Sequence, residues 1–171
     1  MTLIVCGLAE VPAIIAARRP SHMITLLDPA SMIETPAGFA DRHLKLGVND
    51  IAEPMEGMVL PHAGLVADLL AFGRTWDESA PMIIHCWAGI SRSSASAFVL
   101  ACERNPDASE KAIALAMRKV ARHAYPNRRI VALADDMLSR KGRMIDAVEA
   151  MGDYEYSGVG VPFDFPVRYP W

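Results

Sequence analysis

The sequence is poor in the features that would mark a membrane-spanning, secreted or nucleic-acid-binding chain. No window reaches the roughly 18 uncharged apolar residues that a spanning helix needs. The most apolar opening, Met1 to Ala17, is broken by Glu10 and Pro12. A secretory leader carries its positive charge ahead of the apolar stretch, whereas Arg18 and Arg19 follow it here, so a cytoplasmic location is expected. Only three cysteines occur, Cys6, Cys86 and Cys102, too few and of the wrong parity for a disulfide framework. Excess positive charge is missing as well: 17 basic against 20 acidic residues leave a net charge of −3, which argues against a nucleic-acid or membrane-surface partner. His22, His43, His62 and His123 are scattered without metal-ligand spacing, so neither a metal nor another cofactor is expected. There is no internal repeat, no low-complexity block and no clear linker.

What the 171 residues do contain is material for one folded domain: 52% are hydrophobic and 22% charged, near the globular average. Short apolar runs at Leu3 to Cys6 and Met23 to Leu27 read as strands, with a helix-like stretch, Val11 to Arg19, between them. His43 to Val48 alternates loosely as a strand, and Ala63 to Trp76 carries Leu65, Val66, Leu69, Leu70 and Phe72 at helical spacing. Met82 to Ile84 is a fully apolar run, the mark of a buried central strand, and it leads directly into His85-Cys86. Three helices should follow it. The first, from about Ser91, stops before Pro106. The second is announced by Asp107 with Glu110 as a capping pair. The third starts at Asn127 and can be capped by Gly142. Alternating helices and strands predict a single α/β domain over residues 1–152, a central, largely parallel sheet flanked by helices. Residues 153–171 form an extended tail rich in proline and holding half of the chain's twelve aromatic residues. Such a tail should cover an apolar surface on this domain or on a partner, a homodimer being the second arrangement.

The informative segment is His85-Cys86-Trp87-Ala88-Gly89-Ile90-Ser91-Arg92-Ser93, at the passage from buried strand to helix. A cysteine at the last strand position points into the turn, and the residues from Trp87 through Ala88, Gly89, Ile90 and Ser91 to Arg92 can wrap so that their N–H groups converge on one point. The helix that follows adds its own unpaired N–H groups and the positive end of its dipole, so the loop is a cradle for a phosphate-sized anion. Gly89 permits a positive φ or a close backbone approach. The field that attracts phosphate also favours a thiolate, which makes Cys86 a candidate nucleophile. Arg92 can grip two phosphate oxygens with its planar fork. Ser93 can hydrogen-bond the sulfur and ease its departure.

The run HCWAGISRS resembles the signature of the cysteine-dependent protein tyrosine phosphatases: His-Cys, five residues, Arg, then Ser or Thr. Its AG-x-SRS portion is most similar to the dual-specificity branch, and the order of elements agrees from roughly Thr2 to Arg140. The resemblance implies a phosphomonoester hydrolase acting through a phosphocysteine, on phosphotyrosine and also on phosphoserine or phosphothreonine proteins, without cofactor. It further implies an aspartic acid on a separate loop before the cysteine. Asp50, in Asn49-Asp50-Ile51 at the end of a strand, fits that place better than Asp41, Asp68 or Asp77. By the same resemblance Asn127 orients substrate or water, and His85 supports the loop. The competing readings are a phosphate-binding module of weak turnover, and an arsenate reductase or sulfurtransferase on a similar cysteine loop, the former reaction needing Cys6 or Cys102 as a resolving thiol. A core thiol at Cys86 and a mere turn residue at Asp50 are the structural rivals.

Overall fold

A computed structural model describes residues 1–169, so Trp171, counted above among the tail's aromatics, lies outside the described residues with Pro170. Strands β1 (Thr2–Gly7), β2 (His22–Leu27), β3 (His43–Gly47) and β4 (Met82–Cys86) run parallel, and β5 (Phe163–Pro166) is antiparallel, in the order β3-β2-β4-β1-β5. Helix α1 (Val11–Arg18) packs on one face. The other face is covered by α2 (Ala63–Thr75), α3 (Arg92–Arg104), α4 (Glu110–Val120), α5 (Arg128–Met137) and α6 (Arg143–Glu149).

The two faces follow from the two-residue period of strands. Ile4, Cys6, Met23 and Ile83 meet Val11, Ile14 and Ile15 of α1, while Leu3, Val5, Ile24, Leu26, Met82, Ile84 and Cys86 face the five-helix layer. With both faces covered, β2 and β4 are buried along their whole length, and this explains their largely apolar sequences, interrupted only by His22, Thr25 and His85. Cys86 thus ends its strand on the side from which α3 departs. No helix among the described residues is long and apolar enough to cross a membrane.

Two expectations need correction. Among the described residues four helices, not three, follow the central strand. Gly142, read as the end of the third, is the N-cap of α6, and positive φ at Ser139, Lys141 and Gly142 turns the chain between α5 and α6. Seven residues with only Met144 and Ala147 buried leave too short a pattern to be seen as a helix. The start of α4 is capped by the Ser109 hydroxyl, which accepts from the Ala112 N–H, and not by Asp107 with Glu110. Glu110 is instead buried between Arg140 and Arg143, at 2.9 and 3.1 Å, and so ties α4 to the α5–α6 turn. The tail folds back on this same chain. Phe163 and Phe165 are buried while Asp164 and Pro166 face out, and β5 closes the β1 edge. Burying each aromatic side chain stabilises the fold by ~1.5–3 kcal/mol.

Candidate active site

Gly7, Asp28, Val48 and Cys86 all stand at or just beyond the carboxyl ends of parallel strands, where the crevice of an open α/β sheet lies. Between β4 and α3 the carbonyls are drawn outward into the scaffold. Trp87 O accepts from the Leu8 N–H (3.1 Å), Ala88 O from Gly160 (2.7 Å), Ile90 O from Tyr125 (2.9 Å) and Ser91 O from Asn127 (3.2 Å) and Ala95 (3.0 Å). No peptide bond among the described residues is cis. In a trans peptide the N–H of the next residue points opposite to the carbonyl, so the N–H groups of Ala88, Gly89, Ser91 and Arg92 face away from those scaffold partners, and Ala88, Ser91 and Arg92 line a cleft together with Cys86. Ser91 at the N-cap of α3 makes no side-chain cap bond, so the dipole end of the helix remains open to an anion. Gly89 is required twice over. Its φ is +72°, and a Cβ there would meet the backbone of Cys6 and Gly7 at 2.6 Å.

Arg92 is 5% exposed. Its Nη1 donates to Asp28 Oδ1 (2.8 Å) and to the Val48 carbonyl (2.7 Å). The Nε–H is buried without a partner among the described residues. The protein thus anchors one edge of the guanidinium and leaves free the Nε–Nη2 edge, whose two parallel N–H groups match two phosphate oxygens. Sequence reasoning missed Asp28: Asp28-Pro29 reads as the punctuation that ends a strand, and its partner lies 64 residues away.

Asp50 sits exposed at the rim. Its Oδ1 accepts from the Ser91 hydroxyl (2.7 Å) and from Asn127 Nδ2 (2.9 Å), while no bond to Oδ2 forms among the described residues. Asn127 has few polar atoms left for a ligand. Its Oδ1 accepts from the Arg129 and Ile130 N–H groups as the N-cap of α5, and its Nδ2 also donates to the Ile51 carbonyl. The side chain locks the Asp50 loop to α5 and so positions the carboxylate over the cradle. Cys86, Trp87, Ala88, Ile90, Ser91, Arg92, Asp50 and Asn127 line one cleft of about 480 Å³. Asp41, Asp68 and Asp77 do not line it. Trp87, 61% exposed, forms its rim. Three tyrosines join the lining, Tyr125, Tyr154 and Tyr156. Nothing in the HCWAGISRS pattern signals them, two of the three being tail residues.

At the base, Cys86 Sγ lies 3.1 Å from Ser93 Oγ. Behind it runs a buried chain of polar groups. His85 Nδ1 lies 3.4 Å from the Cys86 carbonyl, His85 Nε2 and His43 Nε2 each lie 2.7 Å from Thr25 Oγ1, and His43 Nδ1 lies 3.0 Å from Thr35 Oγ1. With both imidazoles neutral and one proton on Thr25, the chain has one consistent direction: Thr35 donates to His43, His43 to Thr25, Thr25 to His85, and His85 to the Cys86 carbonyl. Neutral imidazoles satisfy this pattern, and burial favours them by pushing both His85 and His43 down to about 4.

A histidine ordinary in the unfolded chain but held neutral in the fold contributes stability that is complete above about pH 6.5 and is lost as pH falls through about 4, because only the unfolded chain takes up the proton in between. For His85 the full effect is about 3 kcal/mol at ~1.4 kcal/mol per pH step. His85→Gln should therefore show a shallower fall of Tm between pH 7 and 4.5 than the parent. Parallel curves in a thermal melt series would remove His85 from the acid response.

The two remaining thiols do not line the cleft. Cys6 faces the α1 side of the sheet, and burial, with Cys86 adding to it, pushes its thiol up to about 12. Cys102 lies ten residues beyond Arg92 on α3, about 15 Å by helical rise, and burial pushes its thiol up as well. Among the described residues no group of three or more His, Cys, Asp or Glu could hold a metal.

No protein-family model and no curated protein sequence matches the chain. Solved structures do. PTPMT1, determined in complex with PI(5)P, is similar with a TM-score of 0.57 and 13% identity. The human tyrosine phosphatase-like serine/threonine/tyrosine-interacting protein is similar with a TM-score of 0.53 and 18% identity. Both alignments cover 80% of this chain and 87% of the other. The fold is therefore one that this chain shares with these two phosphatase and phosphatase-like structures. At these identities the likeness is one of fold, and the chemistry rests on the residues of this chain.

Proposed function

We propose that the chain is a metal-independent phosphomonoester hydrolase that works through a phosphocysteine intermediate and acts on phosphotyrosyl proteins. The observation that carries this reading is the loop itself: Cys86 at the base of the cleft, loop carbonyls bonded outward to the scaffold, and an Arg92 fork whose Nε–H has no partner among the described residues. In the first step Cys86 Sγ attacks phosphorus in line while the bond to the ester oxygen breaks and Asp50 gives that oxygen its proton. The loop N–H groups and Arg92 hold the three equatorial oxygens as charge spreads over them. In the second step water attacks phosphorus, Asp50 takes its proton, and the S–P bond breaks with the sulfur leaving as thiolate. Ser93, 3.1 Å from that sulfur, donates to it as the charge returns.

Phosphorylated protein is the proposed substrate. Carboxylates at the rim, Asp50 and neighbouring Asp28, speak against a polyanionic head group. The test is turnover of a panel of phosphopeptides, phosphoinositides and nucleotides by the purified chain. Release of phosphate from phosphotyrosyl peptides is expected; turnover confined to phosphoinositides or nucleotides would replace the substrate assignment, and no turnover of any ester would leave a phosphate-binding module.

A further inference from the structure

The chain beyond α6 does more than close the β1 edge. It returns across the loop before α5 and is pinned there twice: the Glu155 N–H donates to the Arg122 carbonyl (2.9 Å), and the Gly160 N–H donates to the Ala88 carbonyl (2.7 Å) in the anion-holding loop itself. The second contact admits no side chain, since a Cβ at Gly160 would meet the His123 ring at 2.6 Å and the Gly89 carbonyl at 3.0 Å. At the near end of this segment Tyr154 stacks on Tyr125, with ring centroids 4.4 Å apart and planes inclined by 27°. Tyr125 is in turn held to the anion loop through its N–H on the Ile90 carbonyl. Both rings line the cleft that has Cys86 at its base.

Exposure rises steeply along this cleft. Cys86 is 2% exposed, Tyr154 and Tyr125 are 38% and 39%, and Tyr156 is 81%. A phosphate at the base must therefore be carried down past an aromatic wall. A phosphotyrosyl ring would lay its own apolar face along that wall. In phosphoserine or phosphothreonine a single carbon separates the ester oxygen from the backbone, so a polar peptide group would be drawn against the tyrosine faces and lose water without a partner.

We propose that Tyr125 and Tyr154 are specificity-determining residues that select phosphate esters of aromatic alcohols over alkyl esters, and that the C-terminal segment exists in part to place Tyr154 there. This rests on the hydrolase reading above and names its selectivity. Aromatic pairing contributes about 2- to 12-fold in affinity per contact beyond area burial. The experiment measures kcat/KM on matched phosphotyrosyl and phosphoseryl peptides, together with equilibrium binding of phenylphosphonate and methylphosphonate, neither of which is hydrolysed.

Tyr154→Ala should lower the phosphotyrosyl-to-phosphoseryl ratio by roughly 2- to 12-fold, through KM and not kcat. It should lower the phenyl-to-methyl binding preference in parallel, Tyr125→Ala should do the same, and Tyr154→Phe should keep both ratios. Unchanged ratios in the alanine variants, or equal losses on both members of each pair, would overturn the assignment and leave the wall a structural feature. Should no ester be turned over at all, the hydrolase reading fails while the phosphonate preference still decides whether the wall recognises an aromatic ring.

Discussion

Cys86→Ser should abolish turnover of every phosphomonoester while leaving the affinity for inorganic phosphate or a phosphotyrosyl peptide nearly intact. The loss should be on the order of a millionfold in kcat, the size seen when a hydrolase is deprived of its nucleophile. The serine hydroxyl is a far weaker nucleophile than a thiolate and has no base beside it, for among the described residues the group at Sγ is the Ser93 hydroxyl, itself neutral. Binding survives because the anion is held by parts the substitution does not touch: the loop N–H groups fixed by Leu8, Gly160, Tyr125 and Asn127, and the Arg92 edge fixed by Asp28 and Val48. Isothermal titration with phosphate and a discontinuous phosphate-release assay read the two halves separately. Substantial residual turnover would remove Cys86 as the nucleophile, and loss of binding would mean that the thiolate, not the cradle, holds the anion.

Asp50→Asn should give the second largest effect, and one that depends on the leaving group. Asparagine keeps the size of the side chain and can still accept from Ser91 and Asn127, but it has no proton to give. General acid catalysis contributes about a hundred- to ten-thousandfold. Tyrosyl and alkyl phosphates should therefore lose rate in that range, whereas a nitrophenyl phosphate, whose oxygen leaves without help, should lose far less. Equal losses on both ester types would contradict the assignment. So would a leaving-group-dependent loss in Asp28→Asn, since Asp28 lines an adjoining cleft of about 380 Å³ with Arg92 and Asp50 and is the rival carboxylate.

What was legible in the sequence is what is local. The passage from a buried strand through a glycine-bearing turn into a helix is written in nine consecutive residues, and in the structure Cys86 and Arg92 line one cleft with the Ser93 hydroxyl 3.1 Å from the sulfur. Asp50, chosen through the family resemblance and its place in an Asn-Asp pair leaving a strand, lines the same cleft. The rest depends on contacts between distant segments. Asp28 and Arg92 are 64 positions apart, and no spacing rule links them. The polar chain behind Cys86 needs Thr25 of β2 to stand between His85 and His43 on the two flanking strands, a matter of sheet order and register. The tail, irregular by eye, carries its alternation in only four residues, Phe163–Pro166, and its tyrosines reach the cleft because Gly160 finds a hydrogen-bond acceptor in the anion loop. Seven residues of α6 are fixed by packing and by the Glu110 ion pairs more than by any periodicity.

The most direct test of the account is to mix the purified chain with a phosphotyrosyl peptide in a rapid-quench apparatus, denature it within milliseconds, and digest it for mass spectrometry. A phosphoryl group should appear on the peptide that contains Cys86, accumulate in a burst ahead of steady phosphate release, and be absent from Cys86→Ser. Steady release of phosphate with no phosphoryl group on Cys86, or with the group on another residue, would contradict a phosphocysteine mechanism at this site.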